Sequence, residues 1–252
     1  MGRAIAGMSV LVTGGGSGLG EGVVERLTGL GAHVTLTGRR RERVEAVAAR
    51  TGARGVVGDV TVEVDRRAMV DAAVAHGGGL AAVVHAAGNM YRGPLAELTA
   101  EGLHDVFASN TIAPMLLTGL ALPHLVEAGG AVVFFGSVHT QRAFPGASPY
   151  AATKGALETL TGVLAAELGP QGVRVSCVRP GGVLTEINQR AGLFDDATAA
   201  ERIESLGPAH ALGRPGTVEE VAEAVEYLLT AEWVTGTVLT VDGGLGLGVT
   251  QA

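Results

Sequence analysis

The stretch SVLVTGGGSGLGEGVVERLTGL, residues 9–30, indicates how this chain folds. A short β-branched run at 9–13 leads into a glycine-rich turn, and apolar residues at helical spacing follow at 21–30. Glycines let a backbone turn tightly and approach a pyrophosphate, and the free N–H groups of the next helix favour negative charge. With 40 glycines in the chain, the spacing alone is a weak signal. The position between the first strand and the first helix therefore carries the prediction of a nucleotide-binding turn.

The remainder of the chain repeats this alternation of strands and helices. We predict strands at 9–13, 33–37, 54–58, 81–85, 131–135, 173–178 and 237–241. Most of these are continuous apolar runs, which is typical of parallel strands covered on both faces. The pattern predicts one α/β domain over residues 1–252, built on a doubly wound parallel sheet. The segment at about 182–216 breaks the rhythm, and its apolar residues predict a lid over a substrate site.

Composition excludes several classes of partner. The 252 residues carry a net charge of −7, whereas nucleic-acid binding requires a basic face. The single cysteine, Cys177, lies in an apolar run and is expected to be buried and inert. No apolar run reaches the roughly 18 residues of a membrane span. We expect a cytoplasmic protein that binds neither nucleic acid nor membranes.

The end of the second strand predicts the nucleotide. An acidic residue there would bond the ribose hydroxyls of NAD, whereas an arginine accommodates the 2′-phosphate of NADP. The chain has Gly38 at the acid position, followed by Arg39 and Arg40. This favours NADP, with NAD as the alternative.

The only lysine of the chain, Lys154, follows Tyr150 by four residues, which is one helical turn. A phenol has a pKa of about 10, too high for easy proton exchange at neutral pH. An ammonium group one turn away would stabilise the phenolate, so we expect Lys154 to lower the pKa of Tyr150. Lysine suits this role better than arginine because its charge is compact and its donors rotate.

Four motifs in order give the chain a resemblance to the short-chain dehydrogenase/reductase family: TGGGSGLG (13–20), Ser137 in FFGSVH, YAATK (150–154) and RPGGVLT (179–185). The resemblance implies a Rossmann fold and a ketoreductase that transfers hydride between NADP(H) and a carbonyl or secondary alcohol. It also implies that Tyr150 is the general acid/base, that Ser137 bonds the reacting oxygen, and that Lys154 supports both Tyr150 and the nicotinamide ribose. Asn110 matches the asparagine that supports a water relay to the lysine.

The resemblance further implies the cofactor contacts and the assembly. Besides Arg39, Arg40, Tyr150 and Lys154, the expected contacts are Gly14, Ser17, Gly18, Leu19, Gly20, Asp59, Val60, Gly88, Pro180, Gly181, Val183 and Thr185. The family is usually a homotetramer, so we expect a homotetramer or homodimer. The sequence His85-Ala86-Ala87-Gly88 departs from the family's Asn-Asn-Ala-Gly, so the local hydrogen bonds should differ and His85 should pack at a strand end.

Residues for substrate binding are less specific. His139, Phe144 and Asn188 are expected to line the substrate cavity, and Met90, Tyr91, Gln141 and Phe194 are balanced between that role and packing. The other histidines, apart from His85, have no ligand spacing, so no catalytic metal is expected. Two alternatives stay open: an alcohol dehydrogenase that uses NAD(H), and a nucleotide-binding regulator without catalytic activity. The substrate and the direction of the reaction stay open as well.

Overall fold

The first strand lies near the middle of a parallel sheet in the computed structural model, which describes residues 2–185 and 196–248. The described residues form a seven-stranded sheet in the order β3-β2-β1-β4-β5-β6-β7, and every neighbouring pair is parallel. The strands are β1 Ser9–Thr13, β2 His33–Gly38, β3 Arg54–Val57, β4 Ala82–His85, β5 Ala131–Phe135, β6 Arg174–Pro180 and β7 Val238–Val241. The predicted doubly wound α/β sheet is thus confirmed.

Helices connect consecutive strands, as parallel neighbours require. They are α1 Gly18–Gly29, α2 Arg41–Thr51, α3 Glu63–Gly77, α4 Ala100–Phe107, α5 Ala113–Ala128, α6 Ser148–Leu168, α7 Asp196–Ser205 and α8 Val218–Thr230. A π-helical turn, Ala108–Ile112, joins α4 to α5, and a 3-10 turn, Val138–Thr140, follows β5. Helix α1 begins three residues earlier than its apolar spacing predicts, inside the glycine turn.

The strands are continuous apolar runs because both faces of the sheet are buried. Along β1, Val10 and Val12 face one core cluster, and Leu11 faces the other. Along β5, Val133 lies in the first cluster and Phe134 in the second. An exposed face would have required polar residues at every second position.

The side on which successive strands join the sheet changes between β1 and β4. Strands β2 and β3 extend the sheet on one side of β1, and β4 then pairs with β1 on the other side. The helices after β1 and β4 therefore diverge and leave a crevice at the carboxyl ends of these strands, where ligands bind in open α/β sheets.

One helical stretch, Ala100–Ala128, is long and apolar enough to cross a membrane by length and composition alone. It contains α4, the π-helical turn and α5. Helix α5 buries Leu117, Ala121 and Leu125 in the second core cluster. A helix that packs against a sheet in this way meets the same criteria, so the stretch is weak evidence for a membrane span.

The end of β4 is the place where the chain departs from the family pattern. His85 is buried there, stacks on Phe134 at 5.1 Å between ring centroids, and lies with Nε2 2.9 Å from the Thr118 hydroxyl. The backbone N–H of Ala87 donates to the Thr13 hydroxyl at 3.1 Å. His85 is thus a packed strand-end residue, as predicted, and side chains from β1 and α5 supply the local hydrogen bonds.

The buried His85 predicts sensitivity to acid. Burial lowers its pKa to about 3, so below its ordinary value of 6.5 the folded chain binds fewer protons than the unfolded chain. The stability that it contributes is present above pH 6.5 and is lost as the pH falls. By urea denaturation at pH 7, 6 and 5, we expect His85→Asn to remove up to about 1.4 kcal/mol per pH unit from the slope of the unfolding free energy. The variant of an exposed histidine, His104→Asn, should keep the wild-type slope; equal slopes in all three proteins would contradict the prediction.

Candidate active site

The glycine turn after β1 forms the floor of the crevice. Gly14 and Gly18 have φ of +67° and +57°, a region that favours glycine. A Cβ on Gly14 would lie 2.7 Å from the backbone nitrogen of Ala87, and a Cβ on Gly20 would collide with the carbonyl oxygen of Gly14. The turn thus has no room for a side chain at Gly14 or Gly20, and it leads directly into the N-terminus of α1 at Gly18. This geometry fits a bound pyrophosphate.

A cavity beside this turn brings together the residues that the sequence predicts for the adenosine end. Its predicted lining residues are Gly14, Ser17, Arg39, Arg40, Asp59, Val60 and Gly88. Arg39 Nη1 lies 3.6 Å from Asp59 Oδ2. Burial alone would raise the pKa of the Asp59 carboxyl, but hydrogen bonds from Thr61 and the charge of Arg39 outweigh it and hold that pKa below its usual value. Asp59 is therefore ionised at neutral pH.

Sequence reasoning missed a third arginine in this cavity. Arg43 lines it together with Arg39 and Arg40. It lies in the first turn of α2, which begins at Arg41, three residues after β2 ends. The available signal was its spacing of three residues from Arg40, the residue just before the helix, since residues so spaced lie on one side of a helix turn.

A second part of the crevice contains the predicted catalytic residues. Ser137 follows β5, whereas Tyr150 and Lys154 lie in the first two turns of α6, and all three line one cleft. The same cleft is lined by the predicted cofactor residues Gly14, Ser17, Gly18, Leu19, Gly20, Gly88, Pro180, Gly181, Val183 and Thr185. Residues far apart in the sequence thus meet at the carboxyl edge of the sheet.

The environment of Tyr150 differs from the sequence prediction. Burial raises its pKa to about 12, and a hydrogen bond with Ser137 opposes this rise. The net shift is thus upward, opposite to the lowered pKa expected from the spacing of Lys154, because the loss of hydration is the largest effect. Tyr150 is therefore a neutral phenol at neutral pH, which is the form that can donate a proton.

Lys154 lies beneath the tyrosine ring rather than at its hydroxyl. Its Nζ is 5.6 Å from the centroid of the Tyr150 ring and donates a hydrogen bond to the carbonyl of Phe135 at 2.8 Å. Burial lowers the pKa of Lys154 to about 8, against the opposing effects of Cys177 and Glu158.

Cys177 is fully buried, as predicted, and burial raises its pKa to about 12.

Asn110 lies in the π-helical turn, a feature that is frequent at functional sites. Its Oδ1 accepts from the backbone N–H of Asn89 at 2.7 Å, and its Nδ2 donates to the Asn89 carbonyl at 2.9 Å and to the Thr153 hydroxyl at 3.1 Å. Thr153 directly precedes Lys154. Asn110 therefore connects the segment after β4 to the catalytic helix, without lining the cleft itself.

A partly buried ion pair anchors the loop that carries Ser137. Glu158, one turn after Lys154 on α6, accepts from Arg179 Nη2 at 2.7 Å and from the Thr140 hydroxyl at 2.9 Å. The Thr140 hydroxyl also lies 2.8 Å from the carbonyl oxygen of Ser137. Helix α6, strand β6 and the serine loop are thus joined by charged and polar groups behind the cleft.

The substrate end of the cleft combines aromatic, aliphatic and basic side chains. The predicted His139 and Phe144 line it, as does Met90, and the Phe144 ring stacks on His139 at 4.3 Å. Sequence reasoning missed Arg92, whose charge adds to the effect of burial in lowering the pKa of His139 to about 4. Ile203, Leu206 and Leu245 complete the described apolar lining.

Some predicted residues are not part of this lining. The Tyr91 hydroxyl accepts from the backbone N–H of Thr99 at 2.9 Å, and neither Tyr91 nor Gln141 lines the cleft. Asn188 and Phe194 lie outside the described residues. Within residues 2–185 and 196–248, no group of three His, Cys, Asp or Glu side chains could hold a metal ion.

Comparisons with known proteins agree with this geometry. The family model described as enoyl-(acyl carrier protein) reductase matches residues 14–246. The chain is 37% identical over 254 residues to L-fucose dehydrogenase of Bos taurus, covering 98% of this chain and 93% of that protein. It is 38% identical over 243 residues to the granaticin polyketide synthase putative ketoacyl reductase 2 of Streptomyces violaceoruber, covering 94% and 95%.

A solved structure of a reductase has a similar fold. The 3-ketoacyl-(acyl-carrier-protein) reductase of Brucella melitensis, complexed with NADH, superimposes with a TM-score of 0.88 at 29% identity, covering 96% of this chain and 99% of that one. The ordered motifs, the sheet and these matches lead to one conclusion: the chain belongs to the short-chain dehydrogenase/reductase family of oxidoreductases.

Proposed function

We propose that the protein transfers hydride between NADP(H) and a carbonyl or secondary alcohol substrate. The observation that carries the proposal is the single cleft in which the glycine turn, Ser137, Tyr150 and Lys154 meet. The nicotinamide cofactor supplies or accepts the hydride when it is bound. The glycine turn would hold its pyrophosphate, and Thr185 and Val183 would hold the end near the reacting centre. The predicted lid at 182–216 is supported by Val183, Ile203 and Leu206, which line the cleft, whereas residues 186–195 of that segment lie outside the described residues.

The protein's own side chains donate and accept the proton that accompanies hydride transfer. Tyr150 is neutral at neutral pH, so in reduction it donates its proton to the substrate oxygen. Ser137, which lines the same cleft, donates to that oxygen and stabilises its developing charge. Lys154 keeps a positive charge below the tyrosine ring, which opposes the cost of forming a phenolate in a buried site.

The three arginines at the adenosine end support NADP over NAD. Arg39, Arg40 and Arg43 surround one cavity at the end of β2, and guanidinium groups match the geometry of a phosphate. NAD stays the second candidate because the Brucella melitensis reductase is complexed with NADH.

The apolar lining of the substrate end supports a hydrophobic carbonyl compound. A suitable panel contains a 3-ketoacyl thioester and an aryl ketone in reduction, together with L-fucose in oxidation. The first and last follow the names of the related ketoacyl reductase and L-fucose dehydrogenase.

Assembly as a homotetramer or homodimer is supported by an apolar surface on α5 and α6. Ile112, at the end of the preceding π-helical turn, Met115, Leu116 and Val163 are 47–49% exposed. In light scattering, we expect Leu116→Glu to reduce the wild-type oligomer to a smaller species, because a carboxylate would be buried without a partner. The matched variant Val64→Glu, at an exposed residue of α3, should leave the mass unchanged. A monomeric wild type would contradict this assignment.

The role of Tyr150 predicts a loss of chemistry without a loss of cofactor binding. Tyr150→Phe should lower turnover at least about 100-fold, since it removes the proton donor. The dissociation constant for NADPH, measured by fluorescence titration, should change by less than about twofold. The variant of an exposed tyrosine, Tyr227→Phe, is the control and should retain wild-type turnover. Retention of a tenth of wild-type activity in Tyr150→Phe would exclude the assigned proton route.

The arginine cavity predicts the coenzyme. Arg39→Ala should weaken NADPH binding by roughly 10- to 100-fold, since it removes a charge-assisted hydrogen bond to the 2′-phosphate. NADH binding should change little. Arg41→Ala is the matched control because Arg41 is exposed and pairs with Glu45 at 3.2 Å. Equal effects of Arg39→Ala on both coenzymes would favour the NAD-dependent alternative, and binding of neither coenzyme to the wild type would favour the nucleotide-binding regulator.

A further inference from the structure

The side chain of His139 contacts the hydroxyl of Ser137. Ser137 Oγ lies 3.0 Å from His139 Nδ1 and accepts the backbone N–H of His139 at 3.3 Å, which caps the 3-10 turn after β5. The imidazole also meets the Tyr150 ring edge-on, with 5.3 Å between centroids. His139 therefore contacts both Ser137 and Tyr150, and its role depends on the function proposed above for those two residues.

The other imidazole nitrogen has no partner within the part of the chain that the structure describes. His139 Nε2 is buried and makes no hydrogen bond with any described residue. A buried N–H without an acceptor is rarer than a buried acceptor without a donor. Since a neutral imidazole carries one proton, an unpaired Nε2 favours the form with the proton on Nδ1. Burial lowers the pKa of His139 to about 4, so the ring is neutral at neutral pH.

The position of this proton decides what Ser137 can do. A hydroxyl has one proton and two acceptor sites. If Nδ1–H donates to Ser137 Oγ, both acceptor sites are filled by His139, one by its backbone and one by its ring. The serine proton then has only acceptors on the cleft side available to it. In the opposite form, Ser137 would donate to Nδ1 and could not donate to the reacting oxygen.

We propose that His139 is a positioning residue, whose Nδ1–H donates to Ser137 and thereby directs the single serine proton into the cleft, toward the Tyr150 oxygen before substrate binds and toward the substrate oxygen afterwards. The direction of the bond agrees with the effect of Ser137 on Tyr150, since a bond donated to a phenolate lowers the pKa of the phenol. Two charged groups also face this cluster: Arg92 acts on His139, and Lys154 lies below the Tyr150 ring. Both stay in place in the variants below.

Two substitutions at His139 separate donation from packing. His139→Phe keeps an aromatic ring against Phe144 and Tyr150 but has no donor. His139→Asn loses the ring but carries an amide N–H at the position of Nδ1. A packing role predicts that Phe is the milder change, whereas donation to Ser137 predicts that Asn is milder.

Kinetics of the full chain with NADPH provide the first measurement, with the best carbonyl substrate of the panel above. We expect His139→Phe to lower kcat about tenfold with little change in the KM for NADPH, and His139→Asn to stay within about threefold of wild type. In alcohol oxidation, the rise of rate with pH should move up by about one pH unit in His139→Phe and hardly at all in His139→Asn. An Asn variant as impaired as the Phe variant, or one pH profile for all three proteins, would overturn the proposal.

The tautomer provides a measurement that needs no turnover. In protein labelled with ¹⁵N-histidine, with NADPH present, the signals missing from His139→Phe identify His139. We expect a protonated Nδ1 and an unprotonated Nε2 at pH 7; the reverse would overturn the proposal. A protonated Nδ1 in a wild type that reduces none of the panel would count against the proposed function alone.

Discussion

Parallel strands end at the same edge of the sheet, and this constraint assembles the site. The segments that follow β1, β2, β3, β4, β5 and β6 supply, in order, Gly14, Arg39, Asp59, Gly88, Ser137 and Gly181. Of these six strands, β3 lies at the sheet edge and has one neighbour, and the others have two. Backbone hydrogen bonds between the strands therefore set the geometry of the site. The reversal of strand order between β1 and β4 opens the crevice at this edge. A change in register would displace a catalytic group from the groups that it must meet.

Burial is the second constraint, and it acts on every catalytic group at once. Ser137, Tyr150 and Lys154 are all buried, so their charged forms are costly and their hydrogen bonds are strong. The tyrosine is held as an acid and the lysine has its pKa lowered toward neutrality. Each departs from its ordinary pKa toward the neutral form, as desolvation requires. The hydrogen bond from Lys154 to the Phe135 carbonyl fixes where the remaining positive charge sits.

The sequence predicted the fold, and it predicted most residues that line the two cavities, because those properties are local. Apolar runs place the strands to within a few residues, and the glycine turn and the YAATK motif place their residues on α1 and α6. The pKa of Tyr150 could not be predicted in this way, because spacing reports the distance to Lys154 but not the loss of water around the phenol. Arg43 and Arg92 were missed since each reaches its cavity from a segment whose direction depends on tertiary packing. The partners of Asn110 were equally hidden, since a π-helical turn leaves no regular sequence pattern.

Charge in the adenosine cavity follows from the same arrangement of strand ends. Among the described lining residues, Arg39, Arg40 and Arg43 face Asp59 and Asp105. Asp59 keeps its two hydrogen bonds from Thr61 whether or not Arg39 lies near it, because those bonds come from its own loop. Arg39 can therefore turn toward a phosphate without leaving a buried carboxylate unpaired, which would be the main cost of such a movement. An exposed guanidinium next to an already satisfied carboxylate is thus suited to a ligand that brings its own negative charge, which supports the proposal that the coenzyme is NADP.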